Sequence, residues 1–216
     1  MVIAIDGPAG AGKSSVARAV AERLGLRYLD TGAMYRALGL AVLDRGLDPS
    51  DPGAVAAVAH RVDLRLERDA VLVDGVDVSD RIRTADVTRA AAQVAQHERA
   101  REVLLRIQRD AAGRGDVVME GRDIGTTVVP DADLKIFLTA SLRERARRRC
   151  RQLGQEETAE RMAELEASIK ARDEADRTRE VSPLTQAPDA VVIDTTGLAE
   201  EDVIDRIGSL AAERRR

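Results

Sequence analysis

Residues 7–14 read Gly-Pro-Ala-Gly-Ala-Gly-Lys-Ser, which matches the pattern G-x-x-x-x-G-K-[ST]. Glycines let the backbone bend back on itself, so that successive N–H groups point inward and can bind an anion. Lys13 can then reach the outer phosphates of a nucleoside triphosphate, and the Ser14 hydroxyl can hold Mg²⁺. The alternative interpretation is a glycine-rich turn that happens to carry a surface lysine.

The segments that flank this loop favour the phosphate-binding interpretation. An apolar run at residues 2–5 precedes the loop and is typical of a buried strand, whereas residues 15–24 repeat apolar side chains at helical spacing. In this order of strand, loop and helix, the start of the helix adds a partial positive charge beside the loop. The sequence therefore predicts a phosphate-binding loop (P-loop).

Short apolar runs alternate with helical patterns along much of the chain. The runs lie at residues 2–5, 28–29, 117–119, 134–138 and 191–193. This alternation predicts an α/β fold, with a parallel five-stranded core and helices on both faces. Ser141 and Glu144 form a predicted capping box, which opens the helix after the fourth strand.

One segment interrupts the alternation. Between residues 62 and 78 apolar and polar residues alternate with period two, and Asp74-Gly75 stands between two such runs as in a two-residue hairpin. Helical residues 86–112 follow. We therefore predict a small α+β lobe at residues 61–101, inserted into a core formed by residues 1–60 and 102–216.

Composition restricts the classes of function. The 216 residues carry a formal charge of −4 and include only two Tyr and one Phe. Neither a base-stacking platform nor a basic nucleic-acid footprint is expected from these values. The single cysteine, Cys150, fits a reducing compartment, and the apolar runs are too short for a signal peptide or a membrane span. The sequence predicts a cytoplasmic protein without a nucleic-acid or membrane partner.

Three further constellations favour a kinase that acts on a small phosphorylated acceptor. They are Asp-Thr-Gly-Ala-Met-Tyr-Arg at residues 30–36, Glu-Gly-Arg-Asp-Ile-Gly-Thr at residues 120–126, and the set Arg172, Asp176 and Arg179. Thr31 is a predicted helix cap, and the spacing of the last set predicts one shared helical face. Arginines suit such a kinase because two polyanions must face each other in it. Each constellation alone also fits a capped helix, a tight turn or a solvated salt-bridge face.

Together with the P-loop, these motifs resemble the bacterial cytidylate kinases, a family of P-loop nucleoside monophosphate kinases. The resemblance spans nearly the whole chain and includes Asp-Val-Ser at residues 77–79 and Pro-Asp-Ala-Asp at residues 130–133. It implies Mg²⁺-dependent transfer of the γ-phosphoryl group of ATP to CMP or dCMP, giving CDP or dCDP. It also implies that the 61–101 lobe binds the monophosphate and that a short lid lies near residues 148–160.

The resemblance also assigns roles residue by residue. The residues expected to bind ATP are Gly7, Pro8, Ala9, Gly10, Ala11, Gly12, Lys13, Ser14 and Ser15, with Ser14 as the metal ligand. The residues expected to bind CMP are Thr31, Arg36, Arg101, Arg122, Asp123, Arg172, Asp176 and Arg179. Lys13, Arg122, Arg172 and Arg179 are the expected catalytic residues, and Asp176 would bind the sugar hydroxyls.

Arg101 and Asp123 would read the cytosine base, and the chemistry of the base supports this role. A carboxylate accepts from the N4 amino group of cytosine, whereas it would repel O4 of uracil. Ala92 stands where the family commonly has a serine that also contacts the base. This difference removes one hydrogen bond from the expected set and leaves the stringency against UMP open.

Two questions remain open at this point. Six arginines lie within residues 143–151, and we expect one or two of them to belong to the lid and approach the triphosphate. The alternative functions are another small-acceptor P-loop kinase, of the shikimate or dephospho-coenzyme A type, and a catalytically silent ATP-binding domain. We expect a monomer.

Overall fold

The computed structural model describes residues 1–67 and 70–214, so residues 68 and 69 of the predicted meander lie outside the described residues. The strands are β1 (Val2–Asp6), β2 (Arg27–Asp30), β3 (Leu64–Leu66), β4 (Val71–Val73), β5 (Val76–Asp77), β6 (Val117–Glu120), β7 (Leu134–Thr139) and β8 (Val191–Asp194). The helices are α1 (Lys13–Leu24), α2 (Thr31–Asp44), α3 (Pro52–Arg61), α4 (Ala85–Val94), α5 (Glu98–Gly113), α6 (Leu142–Gln152), α7 (Ala159–Thr178) and α8 (Glu200–Arg214).

A five-stranded sheet has the order β2-β6-β1-β7-β8, with β1 in the centre. Ile3 of β1 pairs in parallel with Val118 of β6 and with Leu134 of β7. Because parallel neighbours have their carboxyl ends at one edge, the residues after β1 and β6 emerge together. The α/β class with a parallel five-stranded core is confirmed.

The chain divides into two compact units, Met1–Tyr28 with Gly115–Arg216, and Leu29–Arg114. The core of the first unit is aliphatic, as the scarcity of aromatic residues requires. Val20 of α1, Ile136 of β7 and Ile207 of α8 are fully buried in it. This packing fixes α1, and with it the loop between β1 and α1, against the sheet.

The second unit carries a three-stranded antiparallel sheet of order β3-β4-β5 beside its helices. Val73 pairs with Val76, and the two residues between them, Asp74 and Gly75, both have positive φ, 52° and 81°. These angles are those of the two-residue hairpin that the Asp-Gly pair predicts, so the hairpin is confirmed. The predicted 61–101 lobe lies within this unit, and its role in monophosphate binding stays a prediction.

The predicted helical residues 86–112 are confirmed except at residues 95–97, where the chain breaks between two helices, α4 and α5. His97 has extended backbone angles, φ −87° and ψ 116°, and its ring nitrogen lies 2.9 Å from the carbonyl oxygen of Pro49. The turn lets α4 pack on α2 while α5 packs on α3. One straight helix would bury only one of these two apolar faces.

The starts of α6 and α3 differ from what the sequence predicts. The Ser141 hydroxyl accepts from the Glu144 N–H, as a capping box requires, but the Ser141 N–H donates to Thr196 instead of to the Glu144 carboxylate. Helix α3 was not predicted, although Asp51 caps it and Pro52 is its first residue. Proline at that position is a recognised start signal, because its missing N–H would have no helical partner.

Candidate active site

The loop between β1 and α1 has the backbone geometry that the glycine pattern predicts. Gly12 has φ 88° and directly precedes the first residue of α1, Lys13. Gly7 has φ 147°, and a Cβ atom there would lie 2.0 Å from the carbonyl oxygen of Leu138. A side chain at residue 7 would therefore collide with the neighbouring strand, so glycine is required for the loop to leave the sheet.

A buried ion pair holds both polar groups of the Ala9 backbone. The Ala9 N–H donates to Asp173 Oδ1 at 3.2 Å, and Arg145 Nη1 donates to the Ala9 carbonyl at 3.1 Å. Arg145 also pairs with Asp173, and both side chains are almost fully buried. Asp173 comes from α7 and Arg145 from α6, so the helices on both sides of the predicted lid anchor the loop.

Arg148 gives the loop a second support. Its guanidinium donates to the Ala11 carbonyl at 3.4 Å and to the side chain and carbonyl of Thr195 at 2.9 and 2.7 Å. Arg145 and Arg148 are therefore the members of the arginine run that contact the loop backbone. Because these arginines bind loop carbonyl groups on its outer side, the loop N–H groups can point inward, where an anion would bind.

Lys13 is buried in this region, and its ammonium donates to the Pro8 carbonyl at 2.8 Å. Burial and, to a smaller extent, the charges of Arg122 and Arg172 lower its pKa to about 7. The carboxylates of Glu120 and Asp6 oppose the shift. The pKa shift thus places Lys13 among arginine charges in a dry environment, where an arriving phosphate would favour its protonated form.

Two carboxylates at the same edge of the sheet were not assigned from the sequence. Glu120 ends β6 opposite Ile5 and accepts from the Tyr28 hydroxyl. Asp6 ends β1, and its carboxylate accepts from the N–H groups of Ile124 and Gly125 at 2.9 and 2.8 Å. The sequence signal that could have identified Asp6 and Glu120 is an acidic residue at the end of an apolar run.

The pKa of the Asp6 carboxyl is shifted by its surroundings. Burial raises its pKa to about 6, and the charge of Asp123 adds to the rise. The two backbone hydrogen bonds and the charge of Lys13 act in the opposite direction. Desolvation exceeds the stabilisation of the charged form by its hydrogen-bond partners.

The residues around Ser14 fit a magnesium ion that comes with the nucleotide. The Ser14 side chain is exposed at the start of α1. Within residues 1–67 and 70–214, no cluster of three or more His, Cys, Asp or Glu side chains could hold a metal ion by itself. Mg²⁺ in nucleotide sites commonly takes one or two protein ligands and completes its shell with phosphate oxygens and water.

The turn after β6 lies beside the end of α7. Arg122 Nε donates to Asp176 Oδ2 at 2.9 Å, while Arg179 lies 3.8 Å from both Asp123 and Asp176. The structure therefore brings together four of the predicted acceptor residues. Arg172 is exposed on α7, and its charge acts on Lys13.

The placement of Arg179 on the helical face is wrong. Helix α7 ends at Thr178, and Arg179 has extended backbone angles of φ −62° and ψ 140°. Its Nε atom donates to the carbonyl of Ser182. The chain thus leaves the helix at Arg179, yet the side chain still reaches Asp176.

The second unit holds the remaining predicted residues. Asp30, and not Thr31, caps α2 by accepting from the Ala33 N–H at 2.9 Å; Thr31 is the first helical residue and is buried. The prediction of Thr31 as the cap is therefore wrong, because the Asp30 carboxylate takes that bond. The same carboxylate accepts from Arg36 at 2.7 Å.

Arg101 is buried on α5. Its guanidinium lies 5.5 Å from the centre of the Tyr35 ring, and Nη1 donates to the Ala95 carbonyl at 3.4 Å. Ala92 is exposed on α4, in the same unit. The ring holds the arginine through its π face and restricts its rotamers.

In the described part of the chain, no helix is both long and apolar enough to cross a membrane.

Comparison with solved structures supports the fold. A shikimate kinase from Bacteroides thetaiotaomicron superposes with a TM-score of 0.52 at 14% identity, covering 98% of each chain. An uncharacterised protein from Eubacterium ventriosum gives a TM-score of 0.57 at 12% identity, covering 99% of this chain and 98% of that protein. At such low identity the likeness concerns the fold alone.

Comparison of sequences identifies the family. The chain is 49% identical over 211 residues to a cytidylate kinase of Desulfitobacterium hafniense, covering 96% of this chain and 91% of that protein. It is also 49% identical over 215 residues to a cytidylate kinase of Mycobacterium leprae, covering 99% and 96%. The family model described as cytidylate kinase matches residues 3–213. With these matches over almost its full length, the chain belongs to the cytidylate kinase family.

Proposed function

We propose how the side chains described above carry out the reaction of this phosphotransferase, the ATP-dependent phosphorylation of CMP and dCMP. One observation supports the assignment: the end of β1, which leads into the P-loop, is hydrogen-bonded through Asp6 to the turn that carries Arg122, and the charges of Arg122 and Arg172 act on the buried Lys13. Phosphoryl transfer depends mainly on positioning and on stabilising charge. A cluster of cations at a loop that cradles phosphate supplies both.

On the donor side, residues 7–15 hold the triphosphate. Pro8 has no N–H, and the N–H of Ala9 donates to Asp173, so we assign phosphate binding to the N–H groups from Gly10 onward. Lys13 would leave the Pro8 carbonyl and bind the outer phosphates, because a phosphate is the better acceptor for a buried ammonium. The Ser14 hydroxyl would hold Mg²⁺, which neutralises phosphate charge when bound.

On the acceptor side, an oxygen of the CMP phosphate attacks the γ-phosphorus. The bond between this phosphorus and the β,γ-bridging oxygen breaks, and ADP leaves with that oxygen. Arg122, Arg172 and Arg179 would orient the acceptor phosphate and stabilise the charge that spreads over the transferred group. Asp176 would bind the sugar hydroxyls, and its bond to Arg122 already fixes its position.

We assign recognition of the base to Asp123 and Arg101. Asp123 is buried and lies 3.8 Å from Arg179, and its carboxylate would accept from the cytosine amino group. Arg101 would donate to N3 and O2 of cytosine. Thr31 and Arg36 complete the proposed acceptor set, and the absence of a serine at residue 92 predicts a smaller margin over UMP.

Other P-loop kinases and a silent ATP-binding domain are not favoured by the family match. The test is a coupled assay that presents CMP, dCMP, UMP, AMP, shikimate and dephospho-coenzyme A to the same enzyme preparation. We expect phosphorylation of CMP and dCMP at the highest kcat/KM. Faster turnover of shikimate or dephospho-coenzyme A, or nucleotide binding without any turnover, would contradict the proposal.

We also propose that the protein acts as a cytoplasmic monomer on free nucleotides. The lone, buried Cys150 supports a reducing compartment. Sedimentation at assay concentration tests the oligomeric state, and a concentration-dependent dimer would contradict it.

A further inference from the structure

The Asp6 carboxylate is a buried group to which the proposed reaction gives no task. It lies at the carboxyl end of β1, with 5% of the residue exposed. Its oxygens accept separately from two consecutive N–H groups, Ile124 at 2.9 Å and Gly125 at 2.8 Å. A buried acid that binds two backbone groups more than a hundred residues away indicates a specific positional constraint.

The constraint acts on the turn that carries the acceptor residues. Ile124 and Gly125 directly follow Arg122 and Asp123 in the chain. An ionised carboxylate can accept from both N–H groups at once, whereas the protonated form has a hydroxyl in place of one acceptor. The charged form of Asp6 therefore determines where the backbone of this turn lies.

We propose that Asp6 is a positioning residue whose carboxylate holds the 122–125 turn so that Arg122 meets the acceptor phosphate and Asp123 meets the base. The inference rests on the roles proposed above for Arg122 and Asp123. It predicts that selection of the base depends on a side chain that touches neither substrate. It also predicts that this selection depends on pH.

The direction of the pH dependence follows from the environment of Asp6. Asp123 from the turn raises its pKa and Lys13 from α1 lowers it, while burial brings the value to about 6. Lys135 of β7 packs its side-chain carbons toward Gly125, but its ammonium pairs with Asp189. Because the pKa is raised, the charged form is lost as pH falls through about 6, where an ordinary aspartate stays ionised.

The ratio of kcat/KM for CMP to that for UMP is the appropriate readout. Both acceptors carry the same phosphate, which itself titrates near pH 6, so its ionisation cancels in the ratio. We expect the wild-type ratio to be constant near pH 8 and to fall at least threefold between pH 7 and pH 5.5. A wild-type ratio that is constant over this range would overturn the proposal without any variant.

The variant Asp6→Asn keeps the shape of the side chain but offers one oxygen acceptor and an amide donor. We expect a tenfold or greater rise in KM for CMP, a change of less than twofold in KM for ATP, and a CMP/UMP ratio that is low at every pH. Equal changes in the KM values for CMP and ATP would overturn the proposal. So would a CMP/UMP ratio that still falls between pH 7 and pH 5.5 in the variant.

Asp133→Asn is the matched control. Asp133 accepts from the N–H of Val2 at 2.7 Å, so it also ties β1 to a distant segment, but at the opposite end of the strand. We expect it to leave the ratio and its pH dependence unchanged, and an equal effect of both variants would overturn the proposal. If the wild type fails to phosphorylate CMP, the proposed function itself is wrong. If the wild type is active but Asp6→Asn changes neither the KM for CMP nor the CMP/UMP ratio, only the role proposed for Asp6 is wrong.

Discussion

The P-loop and the acceptor cluster reach their geometry in opposite ways. The phosphate binding proposed for the P-loop uses mainly the backbone of one short segment, and the distant side chains of Asp173 and Arg145 hold that backbone in place. The acceptor binding proposed for the second region uses side chains, and two of them, Arg122 and Asp176, are 54 residues apart in the sequence. A backbone site can be read from consecutive residues, whereas a side-chain site depends on how the whole unit packs. Substitutions in the two regions should therefore have different consequences.

Removing the one charged side chain of the P-loop should have the largest effect. Lys13→Ala should lower kcat by about a thousandfold or more, because stabilisation of the transferring phosphoryl group is usually worth several kcal/mol. The fold should survive, since the hydrogen bond that the Lys13 ammonium makes is to the Pro8 carbonyl of its own loop. Steady-state kinetics and a thermal melt test this, and a folded variant with near-normal kcat would exclude the P-loop mechanism.

In the acceptor cluster, Arg179→Ala should lower kcat/KM for CMP by about a hundredfold with little change in the melting temperature. The side chain is buried, and its ion pairs with Asp123 and Asp176 are both long, at 3.8 Å. Arg177, exposed in the last turn of α7, provides the matched control Arg177→Ala. Lost stability with intact kinetics would show a structural ion-pair network instead.

Replacing Asp173, which supports the P-loop, should lower stability and affect ATP more than CMP. Asp173→Asn removes one partner of a buried ion pair, which typically costs about 3–5 kcal/mol of stability. Since Ala9 loses its anchor, we expect KM for ATP to rise several-fold while KM for CMP changes less. Glu174→Gln changes an exposed neighbouring residue and serves as the control. A larger effect on CMP than on ATP would place Asp173 in the acceptor site.

The smallest expected effect concerns the base. Ala92→Ser should raise kcat/KM for CMP about threefold to tenfold and leave UMP nearly unchanged, because a neutral hydrogen bond contributes about 0.5–1.5 kcal/mol. Asp123→Asn should lower kcat/KM for CMP by a larger factor, since it removes the charge that accepts from N4 of cytosine and repels O4 of uracil. If Asp123→Asn leaves the CMP/UMP ratio unchanged, the turn after β6 does not read the base.

The sequence predicts features formed by consecutive residues better than features that depend on packing between distant segments. The P-loop, the core strands and the Asp-Gly hairpin are local patterns, and the structure has all of them. The break before His97 depends on packing against two different helices, which a helical pattern does not contain. The position of Arg179 depends on where α7 ends, and its spacing from Asp176 fits a helix equally well.

The supporting residues could not be assigned for a related reason. Asp6, Arg145 and Asp173 look like ordinary charged residues until the fold buries them beside backbone groups. A carboxylate that binds an N–H group has no spacing rule when the two lie more than a hundred residues apart. Asp173 directly follows Arg172, so of two adjacent residues on α7 one is exposed and is proposed to bind substrate, whereas the other is buried and supports the loop.

The central position of β1 also has a consequence for biosynthesis. The strand and its loop precede their partners along the chain: the strands that pair with β1 begin at Val117 and Leu134, and the anchor of Ala9 is Asp173. Residues 29–114, by contrast, form a contiguous unit whose contacts are complete once that stretch has left the ribosome. Contacts between residues far apart in sequence form late and slowly. We therefore expect nascent chains to retain no ATP until Asp173 has been synthesised and has left the ribosome.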